Sequence, residues 1–309
     1  MSDIELALVG LGTIARAQHL PAIAATPGMT LTAIASRNAR LDGVANFKDV
    51  DTLLDQLHDV QAVSLCTPPQ GRFEQAMAVL RADCHLMLEK PPGATLTELQ
   101  ILAAEARLRS LTLFTTWHSR EAAAVDVARD WLADRVVHAT HIDWCEDVRK
   151  WHPGQDWIWQ PGGLGVFDPG INALSILTAV LPDPVRLTGA DLHIPENRQT
   201  PIAAELTMDA GHPVTARLDW RQQGADLWQI RFDTDAGTAL LDQGGARFRV
   251  DGDTVGKGEN AEYARLYARF RDLIANGDSD VDLSPLRLVA DAFLTGRRHA
   301  APEFQDQDP

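Results

Sequence analysis

The sequence predicts an α/β protein in which a doubly wound parallel sheet is followed by an α+β part with an open, largely antiparallel sheet. Three observations lead to this prediction. Short apolar runs alternate with helical patterns over the first 118 residues, and longer strand-like stretches follow them. The length of 309 residues corresponds to roughly two domains of about 150 residues each. We therefore expect a first domain over residues 1–118 and a second over residues 119–309.

The first domain is predicted from strands that are apolar throughout, as is typical of a parallel sheet covered on both faces. The predicted strands are Ile4–Val9, Leu31–Ala35, Ala62–Cys66, His85–Leu88 and Leu111–Thr115. The helical patterns between them are Thr13–Ala25, Val50–Leu57, Gln70–Ala82 and Thr95–Leu108. Because strand–helix–strand crossovers are right-handed, these units wind into a doubly wound sheet.

The second domain is predicted from stretches with strand character that are separated by Gly and Asp turns. Its predicted strands are Val136–Trp144, Ala203–Met208, Val214–Trp220, Leu227–Thr234 and Ala246–Val250. Its predicted helices are Arg120–Ala133, Ala261–Ala275 and Pro285–Arg297. Because few helices separate the strands, most neighbouring strands are expected to run antiparallel.

Composition argues against several classes of partner. Lys and Arg total 28 against 43 Asp and Glu, and the formal net charge of −15 disfavours nucleic acid. No stretch approaches ~18 uninterrupted apolar residues and no signal-peptide pattern is present, so we expect no membrane association. The three cysteines, Cys66, Cys84 and Cys145, are widely spaced, which indicates reduced thiols in a cytoplasmic protein. Neither the cysteines nor the histidines form a metal-ligand pattern, so no metal site is expected.

A glycine pattern directly follows the first predicted strand. Residues 10–15 match G-x-G-x-x-G, with alanine in the third place. The first glycine permits a tight turn, the second lets a pyrophosphate approach the backbone, and the helix N-terminus favours its charge. The strand–turn–helix context predicts a Rossmann dinucleotide-binding turn, in which Gly10, Gly12, Thr13 and Ile14 bind the cofactor. The alternative is a tight turn without a ligand.

The end of the second predicted strand bears on the type of nicotinamide cofactor. An acidic residue here normally binds the ribose 2′-hydroxyl of NAD, but this sequence has Ser36 and Arg37. Since an arginine can pair with a 2′-phosphate, we predict NADP as the cofactor, with NAD as the weaker alternative. Otherwise Arg37 is a solvated surface residue. Thr67 and Pro68 either form a rigid wall at the same edge of the sheet or simply end their strand.

The sequence Glu89-Lys90-Pro91 follows another predicted strand. A lysine at this edge faces the same crevice as the glycine turn, and the proline fixes the turn behind it. Together with Gly10 and Gly12, this corner resembles the glucose-fructose oxidoreductase / inositol dehydrogenase (Gfo/Idh/MocA) family of nicotinamide enzymes. The resemblance covers the whole chain. It implies a Rossmann half followed by a half with an open sheet, and it places Glu89 and Lys90 beside the cofactor.

The second half of the sequence narrows this resemblance. Residues 117–119, 146–149 and 151–172 resemble the bacterial sugar 1-dehydrogenases of the family, which act on L-arabinose and D-galactose. The usual family pattern has a histidine four residues after Asp168, where this sequence has Asn172. The departure argues against a histidine acid/base role at this position and matches the sugar 1-dehydrogenase branch.

Oxidation at an anomeric carbon moves a hydride to the cofactor and a proton to a base on the protein. Lys90 and Asp168 are the two candidates for this base. We favour Lys90 as the direct contact and Asp168 as the proton acceptor or orienting group. Asp168 followed by Pro169 is also a standard helix start, in which the carboxylate caps the first turn. The resemblance favours the catalytic role.

The resemblance assigns Glu146 and His152 to sugar recognition, because a carboxylate and an imidazole can both bind hydroxyl groups. Trp151 could pack its indole face against the C–H groups of a sugar. Asn172 lies one helical turn from Asp168 and can both donate and accept hydrogen bonds. His118, near the end of the first domain, either contacts the substrate or is a structural histidine.

We therefore expect a sugar 1-dehydrogenase that oxidises L-arabinose, and also D-galactose, to the aldonolactone with reduction of NADP or NAD. Its partner is then a small neutral sugar. Two alternatives remain, namely a dehydrogenase for another aldose or polyol, such as D-xylose or inositol, and a non-catalytic protein that senses NADP. We expect the open sheet to form a subunit interface, because a broad exposed sheet face is a liability in a monomer. The resemblance implies a homo-oligomer, either a dimer or a tetramer.

Overall fold

The computed structural model describes residues 3–305, which fall into two compact units. The first unit contains Met1–His118 and Tyr263–Leu283, and the second contains Ser119–Glu262 and Ser284–Pro309. Residues 1–2 and 306–309, where the predicted domains begin and end, lie outside the described part of the chain. Among the described residues, none of the helices combines the length and apolar character needed to cross a membrane.

The first unit is built on a six-stranded parallel sheet with the strand order β3-β2-β1-β4-β5-β6. Its strands are β1 (Ile4–Val9), β2 (Met29–Ala35), β3 (Ala45–Phe47), β4 (Ala62–Leu65), β5 (His85–Leu88) and β6 (Leu113–Thr115). The helices between them are a π-helical turn (Ala15–His19) that continues into α1 (Leu20–Ala25), then α2 (Val50–Gln56), α3 (Arg72–Arg81) and α4 (Leu96–Leu108). This order is that of a doubly wound dinucleotide-binding domain.

The strands of this sheet form where the sequence is continuously apolar. Leu6, Leu8, Val63 and Leu65 are all fully buried, as expected for strands covered on both faces. β3 was missed because its three residues are only half-buried and carry no apolar run. The strand order brings the carboxyl ends of β1, β4 and β5 next to one another, so the segments that follow these strands share one edge of the sheet.

The second unit contains a nine-stranded sheet with the order β14-β13-β12-β11-β7-β10-β9-β8-β15. Its strands are β7 (Val137–Cys145), β8 (Arg186–Pro195), β9 (Ala203–Asp209), β10 (Pro213–Asp219), β11 (Leu227–Thr234), β12 (Gly237–Asp242), β13 (Arg247–Val250), β14 (Asp253–Lys257) and β15 (Arg297–Ala301). Neighbours are antiparallel except for the parallel pairs β7–β10 and β8–β15. The predicted fold class, a parallel Rossmann sheet plus a largely antiparallel sheet, is confirmed.

The remaining helices of the chain are α5 (Val125–Leu132), α6 (Val148–Trp151), α7 (Phe167–Val180), α8 (Glu262–Asn276) and α9 (Ser284–Thr295), with 3-10 turns at His118–Glu121, Asp156–Trp159 and Gln243–Gly245. The helix predicted over Arg120–Ala133 is therefore shorter than expected. The Ala124 amide donates to the carbonyl of Gly245 instead of continuing a helical ladder. The last predicted helix ends at Thr295, because the chain then pairs with β8 as strand β15.

Helix α8 corrects the predicted domain organisation. All residues after 118 were predicted to belong to the second domain, but Tyr263–Leu283 belongs to the first unit. Tyr263, Leu266, Tyr267 and Phe270 are buried in the same apolar cluster as residues of β1, β4 and β5. The amphipathic pattern of this segment predicts a helix correctly, but it carries no information about which core the apolar face covers.

Candidate active site

The glycine turn after β1 has the backbone geometry that a dinucleotide phosphate requires. Gly10 has φ +91, and a Cβ atom built there would lie 3.0 Å from both the Cys66 carbonyl carbon and the Thr67 amide nitrogen. Only glycine fits this position without displacing the backbone after β4. A Cβ atom at Gly12 would meet nothing within 4 Å, so the backbone there is open to a ligand. These residues fit the pyrophosphate of a nicotinamide cofactor.

The other predicted cofactor residues of the first unit lie on the segments that follow the strands. Thr13 and Ile14 start the helix after the glycine turn, and Ile14 is 51% exposed. Ser36 and Arg37 follow β2, where the Ser36 amide donates to the Phe47 carbonyl at 2.9 Å and the Arg37 side chain is exposed. Thr67 and Pro68 follow β4 at the same edge of the sheet. The Thr67 hydroxyl donates to Gln75 Oε1 at 2.8 Å, and Pro68 is exposed.

Glu89 and Lys90 directly follow β5, and the Lys90–Pro91 peptide bond is cis. Lys90 is half-buried, whereas Glu89 is only 7% exposed. The Oε2 atom of Glu89 accepts hydrogen bonds from the Lys90 amide at 2.7 Å and from the Thr116 hydroxyl at 3.0 Å. These hydrogen bonds tie the Glu89 carboxylate to the protein, and the contact of Glu89 with the cofactor stays a prediction.

A buried polar cluster surrounds the Glu89 carboxylate. The Tyr263 hydroxyl donates to Glu89 Oε1, and His19 Nε2 lies 3.8 Å from the same oxygen. His19 Nδ1 lies 2.7 Å from the Tyr267 hydroxyl, which in turn donates to Ser64 Oγ at 3.2 Å. The His19 ring is also within 3.5 Å of Cys66 Sγ. His19 is fully buried and lies on the helix that starts at the glycine turn.

Electrostatics favour the charged forms of both His19 and Glu89. Burial acts to lower the pKa of His19, but Cys66, Tyr267 and Glu89 together raise this pKa well above its ordinary value. Burial acts to raise the pKa of Glu89, but the hydrogen bond and charge of His19, with contributions from His118 and Tyr263, hold it well below its usual range. Both shifts favour an ion pair between the His19 imidazolium and the Glu89 carboxylate.

His118 lies just after β6, and its ring stacks on that of Tyr263 with centroids 5.5 Å apart and an interplanar angle of 19°. His118 therefore lies next to Tyr263, whose hydroxyl donates to the Glu89 carboxylate. This contact supports a structural contribution of His118 without bearing on its predicted contact with the substrate.

Asp168 and His152 meet in the second unit. Asp168 Oδ2 lies 3.4 Å from His152 Nε2, and the Asp168 side chain is only 3% exposed. Asp168 is the second residue of α7 and does not cap it, because the Gly170 amide already donates to the carbonyl of Val166, the N-cap residue. The helix-cap interpretation of Asp168 is therefore wrong. Half-buried Asn172 lies one turn further along the same helix.

Glu146 follows β7 and is held by two tryptophans. Its buried carboxylate accepts hydrogen bonds from Trp220 Nε1 at 3.3 Å and from Trp228 Nε1 at 2.9 Å. The Trp220 ring also lies 5.3 Å from the His152 ring. Trp151 is 44% exposed, and its ring lies 5.3 Å from that of Trp228. The second unit thus brings Glu146, Trp151, His152 and Asp168 into one polar and aromatic cluster.

Several residues of these clusters were missed by sequence reasoning. They are His19, Tyr263, Trp220 and Trp228. His19 lies in the helical stretch that follows the predicted glycine turn, but an isolated histidine carries no local signal. The count of eight tryptophans does not indicate which indole rings lie beside Glu146. Within residues 3–305, no three or more His, Cys, Asp or Glu side chains are arranged to hold a metal ion.

Comparisons with known proteins agree over the whole chain. Residues 4–116 match the Gfo/Idh/MocA model, an oxidoreductase family with an NAD-binding Rossmann fold. The chain is 44% identical to galactose 1-dehydrogenase from Pseudomonas fluorescens, over 99% of this chain and 100% of that protein. It is 50% identical to a D-galactose-1-dehydrogenase protein from Rhizobium etli, whose crystal structure superposes with a TM-score of 0.95 over 99% of both chains.

A more distant structure shares the fold alone. A 3-ketoreductase from Actinomadura kijaniata, solved in complex with NADP and TDP-benzene, is 21% identical with a TM-score of 0.84. The similarity covers 97% of this chain and 100% of that chain.

Proposed function

Since the chain belongs to the Gfo/Idh/MocA oxidoreductase family with its NAD-binding Rossmann fold, we propose that it is a sugar 1-dehydrogenase acting on D-galactose and L-arabinose. Membership confirms the resemblance found at Gly10, Gly12 and the Glu89-Lys90-Pro91 corner. The observation that carries the proposal is the full-length match, at 44% identity, to a galactose 1-dehydrogenase.

L-Arabinose is proposed as a substrate because its ring stereochemistry matches that of D-galactose. In the pyranose form it has the same configuration as D-galactose at every ring hydroxyl beyond the anomeric carbon, and it lacks only the hydroxymethyl group. A site that recognises the ring hydroxyls of galactose with hydrogen bonds therefore accepts both sugars. A site that depends on the hydroxymethyl group would discriminate against arabinose, since its buried polar groups would be left unpaired.

The reaction removes two hydrogens from the sugar. When bound, the nicotinamide supplies the hydride-accepting chemistry. The anomeric C–H bond breaks with its electron pair, the anomeric O–H gives its proton to the protein, and the new C=O bond is the carbonyl of the lactone. We assign Lys90 as the direct contact to the reacting hydroxyl and Asp168 as proton acceptor or orienting group. His152, 3.4 Å from Asp168, is placed to pass a proton onward.

The second unit offers side chains suited to a neutral sugar. The Glu146 carboxylate is held in one orientation by two indole N–H groups, and a carboxylate is an acceptor suited to sugar hydroxyls. The exposed indole of Trp151 is a flat apolar surface for sugar C–H groups. Asn172, one turn after Asp168, adds a donor and an acceptor.

We propose NADP as the preferred cofactor, with NAD also accepted. No acid follows β2; the sequence there is Ser36-Arg37-Asn38, and Arg37 is exposed. A guanidinium at this position pairs with a 2′-phosphate, which NAD lacks.

We also infer that the protein is a cytoplasmic homo-oligomer, either a dimer or a tetramer. The three cysteines are free thiols, which supports a reducing compartment such as the cytoplasm.

The sheet of the second unit supports the oligomer. Burial alternates along β9 and β10, so this sheet has one covered and one exposed face. A broad exposed sheet face is a common subunit contact. Light scattering of the purified protein measures the oligomeric state directly, and a monomer would contradict this inference.

A sugar panel tests the proposed activity. The purified chain is incubated with NADP or NAD and D-galactose, L-arabinose, D-xylose, D-glucose or inositol, and the absorbance of the reduced nicotinamide is followed. We expect turnover with D-galactose and L-arabinose, and the lactone is identified as its hydroxamate. Oxidation of inositol with neither of these sugars consumed would contradict the proposal. Cofactor binding without turnover of any sugar would favour an NADP-sensing protein.

A further inference from the structure

A buried arginine brackets the backbone around Lys90. Arg72, the first residue of α3, is 2% exposed. One terminal nitrogen of its guanidinium donates to the main-chain carbonyls of both Glu89 and Pro91, the two neighbours of Lys90. The other terminal nitrogen donates to the carbonyl of Thr67. A single side chain therefore ties the segment that follows β4 to the segment that follows β5.

Glu89 holds the same corner through its carboxylate. Its Oε2 atom accepts the amide of Lys90 at 2.7 Å, and it is held in place by the Thr116 hydroxyl and by Tyr263. The carbonyls on both sides of Lys90 and the Lys90 amide are thus bound by two buried charged side chains. Charged groups are almost never fully buried unless their hydrogen-bonding capacity is used, so their presence here indicates a specific task.

The choice of arginine agrees with this task. A guanidinium is a planar fork with five donors in fixed directions, so it can bind three carbonyls on two different segments at once. A lysine ammonium is a point charge on a flexible stem and cannot reproduce that geometry. Because a displacement of about 1 Å at a reacting group can lower a rate about 100-fold, fixing the backbone of a catalytic lysine is chemically worthwhile.

We propose that Arg72 and Glu89 are positioning residues that fix the Lys90 backbone for catalysis. The proposal rests on the proposed function, in which Lys90 contacts the reacting hydroxyl. Arg72 and Glu89 themselves contact neither substrate nor the reacting atoms, and they act through Lys90.

The test compares Arg72→Met, Arg72→Lys, Glu89→Gln and Glu89→Ala with Lys90→Met and the double variant Arg72→Met/Lys90→Met. We expect Arg72→Met to lower kcat about 100-fold while KM and the cofactor Kd stay within about 3-fold. Arg72→Lys should recover part of that loss, because an ammonium still reaches one or two of the carbonyls. Glu89→Gln should retain more activity than Glu89→Ala, since its amide oxygen can still accept from Lys90.

The double variant gives the sharpest result. If Arg72 acts through Lys90, Arg72→Met causes no further loss of residual turnover once Lys90 is already methionine, because effects of residues that act as a unit are not additive. Arg109→Met is the matched control in the same unit; its guanidinium binds Glu105, Asp83 and the Arg81 carbonyl, and kcat should remain unchanged. Circular dichroism verifies that each variant is folded.

Two results would overturn the proposal. One is wild-type kcat in Arg72→Met and Glu89→Ala; the other is an equal loss from Arg72→Met with and without Lys90. If Arg72→Met does not fold, Arg72→Lys and Glu89→Gln carry the same comparison. Full activity of Lys90→Met would instead remove Lys90 from the reaction, and absence of sugar turnover by the wild-type protein would refute the proposed function, so these failures can be distinguished.

Discussion

The Nε2 atom of His152 lies 3.4 Å from Oδ2 of Asp168, and both side chains are largely shielded from solvent. Asp168 lies in the first turn of its helix and not at the N-cap position, and its carboxylate faces the His152 imidazole. We predict that Asp168→Asn lowers kcat about 100-fold, the scale typical of losing a general base, while the cofactor Kd is unchanged. The control is Asp156→Asn, which changes an exposed acid of the second unit in the same way. Equal kcat values for Asp168→Asn and wild type would remove Asp168 from proton transfer.

The two glycines of the phosphate-binding turn should respond differently to alanine. Gly10→Ala meets the backbone after β4 at 3.0 Å and needs φ +91, so we expect roughly 1–3 kcal/mol of destabilisation together with lost cofactor binding. At Gly12 nothing lies within 4 Å, so Gly12→Ala should unfold within a few degrees of wild type and still bind the cofactor poorly. Thermal unfolding without cofactor and a cofactor titration separate the two effects. Unimpaired binding by Gly12→Ala would argue against a pyrophosphate at this turn.

Arg37 should determine the preference between NADP and NAD. Arg37→Ala is expected to weaken NADP binding by about 1–3 kcal/mol through loss of a charge-assisted contact, and to affect NAD less. Fluorescence titration with both reduced cofactors measures the difference, and exposed Arg81→Ala in the last turn of α3 serves as control. Equal weakening of both cofactors would place Arg37 away from the 2′-phosphate.

The His19–Glu89 pair should make stability depend on pH with a defined sign. The raised pKa of His19 means that its contribution is fully present below about pH 6.5 and is lost as pH rises through the folded-state pKa. The lowered pKa of Glu89 gives a contribution that is lost only in strong acid. We therefore predict that the denaturant midpoint of wild type exceeds that of His19→Gln by a margin that shrinks from about pH 6 to about pH 9.

A pH-independent margin would mean that folding leaves the pKa of His19 unchanged, and a margin that grows as pH rises would show that His19 is neutral in the folded protein. His85→Gln is a suitable control, since burial lowers the pKa of His85 and its pH dependence should have the opposite sign. The difference in denaturant midpoint between wild type and His85→Gln should be smallest in mild acid, because there the unfolded chain binds a proton at His85 and the folded protein does not.

The indole of Trp228 should stabilise the Glu146 carboxylate. Trp228→Phe keeps an aromatic ring but removes the donor that lies 2.9 Å from Oε2. We expect a loss of about 1–3 kcal/mol in the free energy of unfolding, because a buried charged acceptor loses a partner, and a raised KM for sugar. Trp131→Phe, whose ring packs edge-on against Phe248, is the control for loss of indole volume. An unchanged KM would separate Glu146 from sugar recognition.

The sequence predicts the first unit well because its signals are local. Continuous apolar runs specify β1, β4 and β5, and the glycine turn sits where one strand meets one helix. Short or edge elements fail for the same reason: β3 is three half-buried residues, and the exposed β14 and β15 carry no apolar pattern. Their existence depends on pairing with distant strands, which no local window contains.

The same contrast between local signals and distant contacts applies to the candidate site. Lys90, Asp168 and Glu146 could be predicted as site residues because motifs surround them, whereas the groups that contact them come from elsewhere in the chain. Arg72 lies 18 positions before Lys90, and Tyr263 donates to Glu89 across 174 positions. The Asp168-Pro169 pair misled local reasoning about the helix start, because tertiary hydrogen bonding begins α7 earlier.

The return of α8 to the first unit has a consequence for how the protein is made. The nucleotide-binding half is interrupted in sequence by residues 119–262, and Tyr267 and Phe270 complete its core. A nascent chain emerging from the ribosome therefore cannot finish its amino-terminal half until nearly the whole polypeptide has been translated. Expression of residues 1–118 alone would leave an unfilled apolar surface, and a fragment that folds independently must carry residues 263–283 fused to its end.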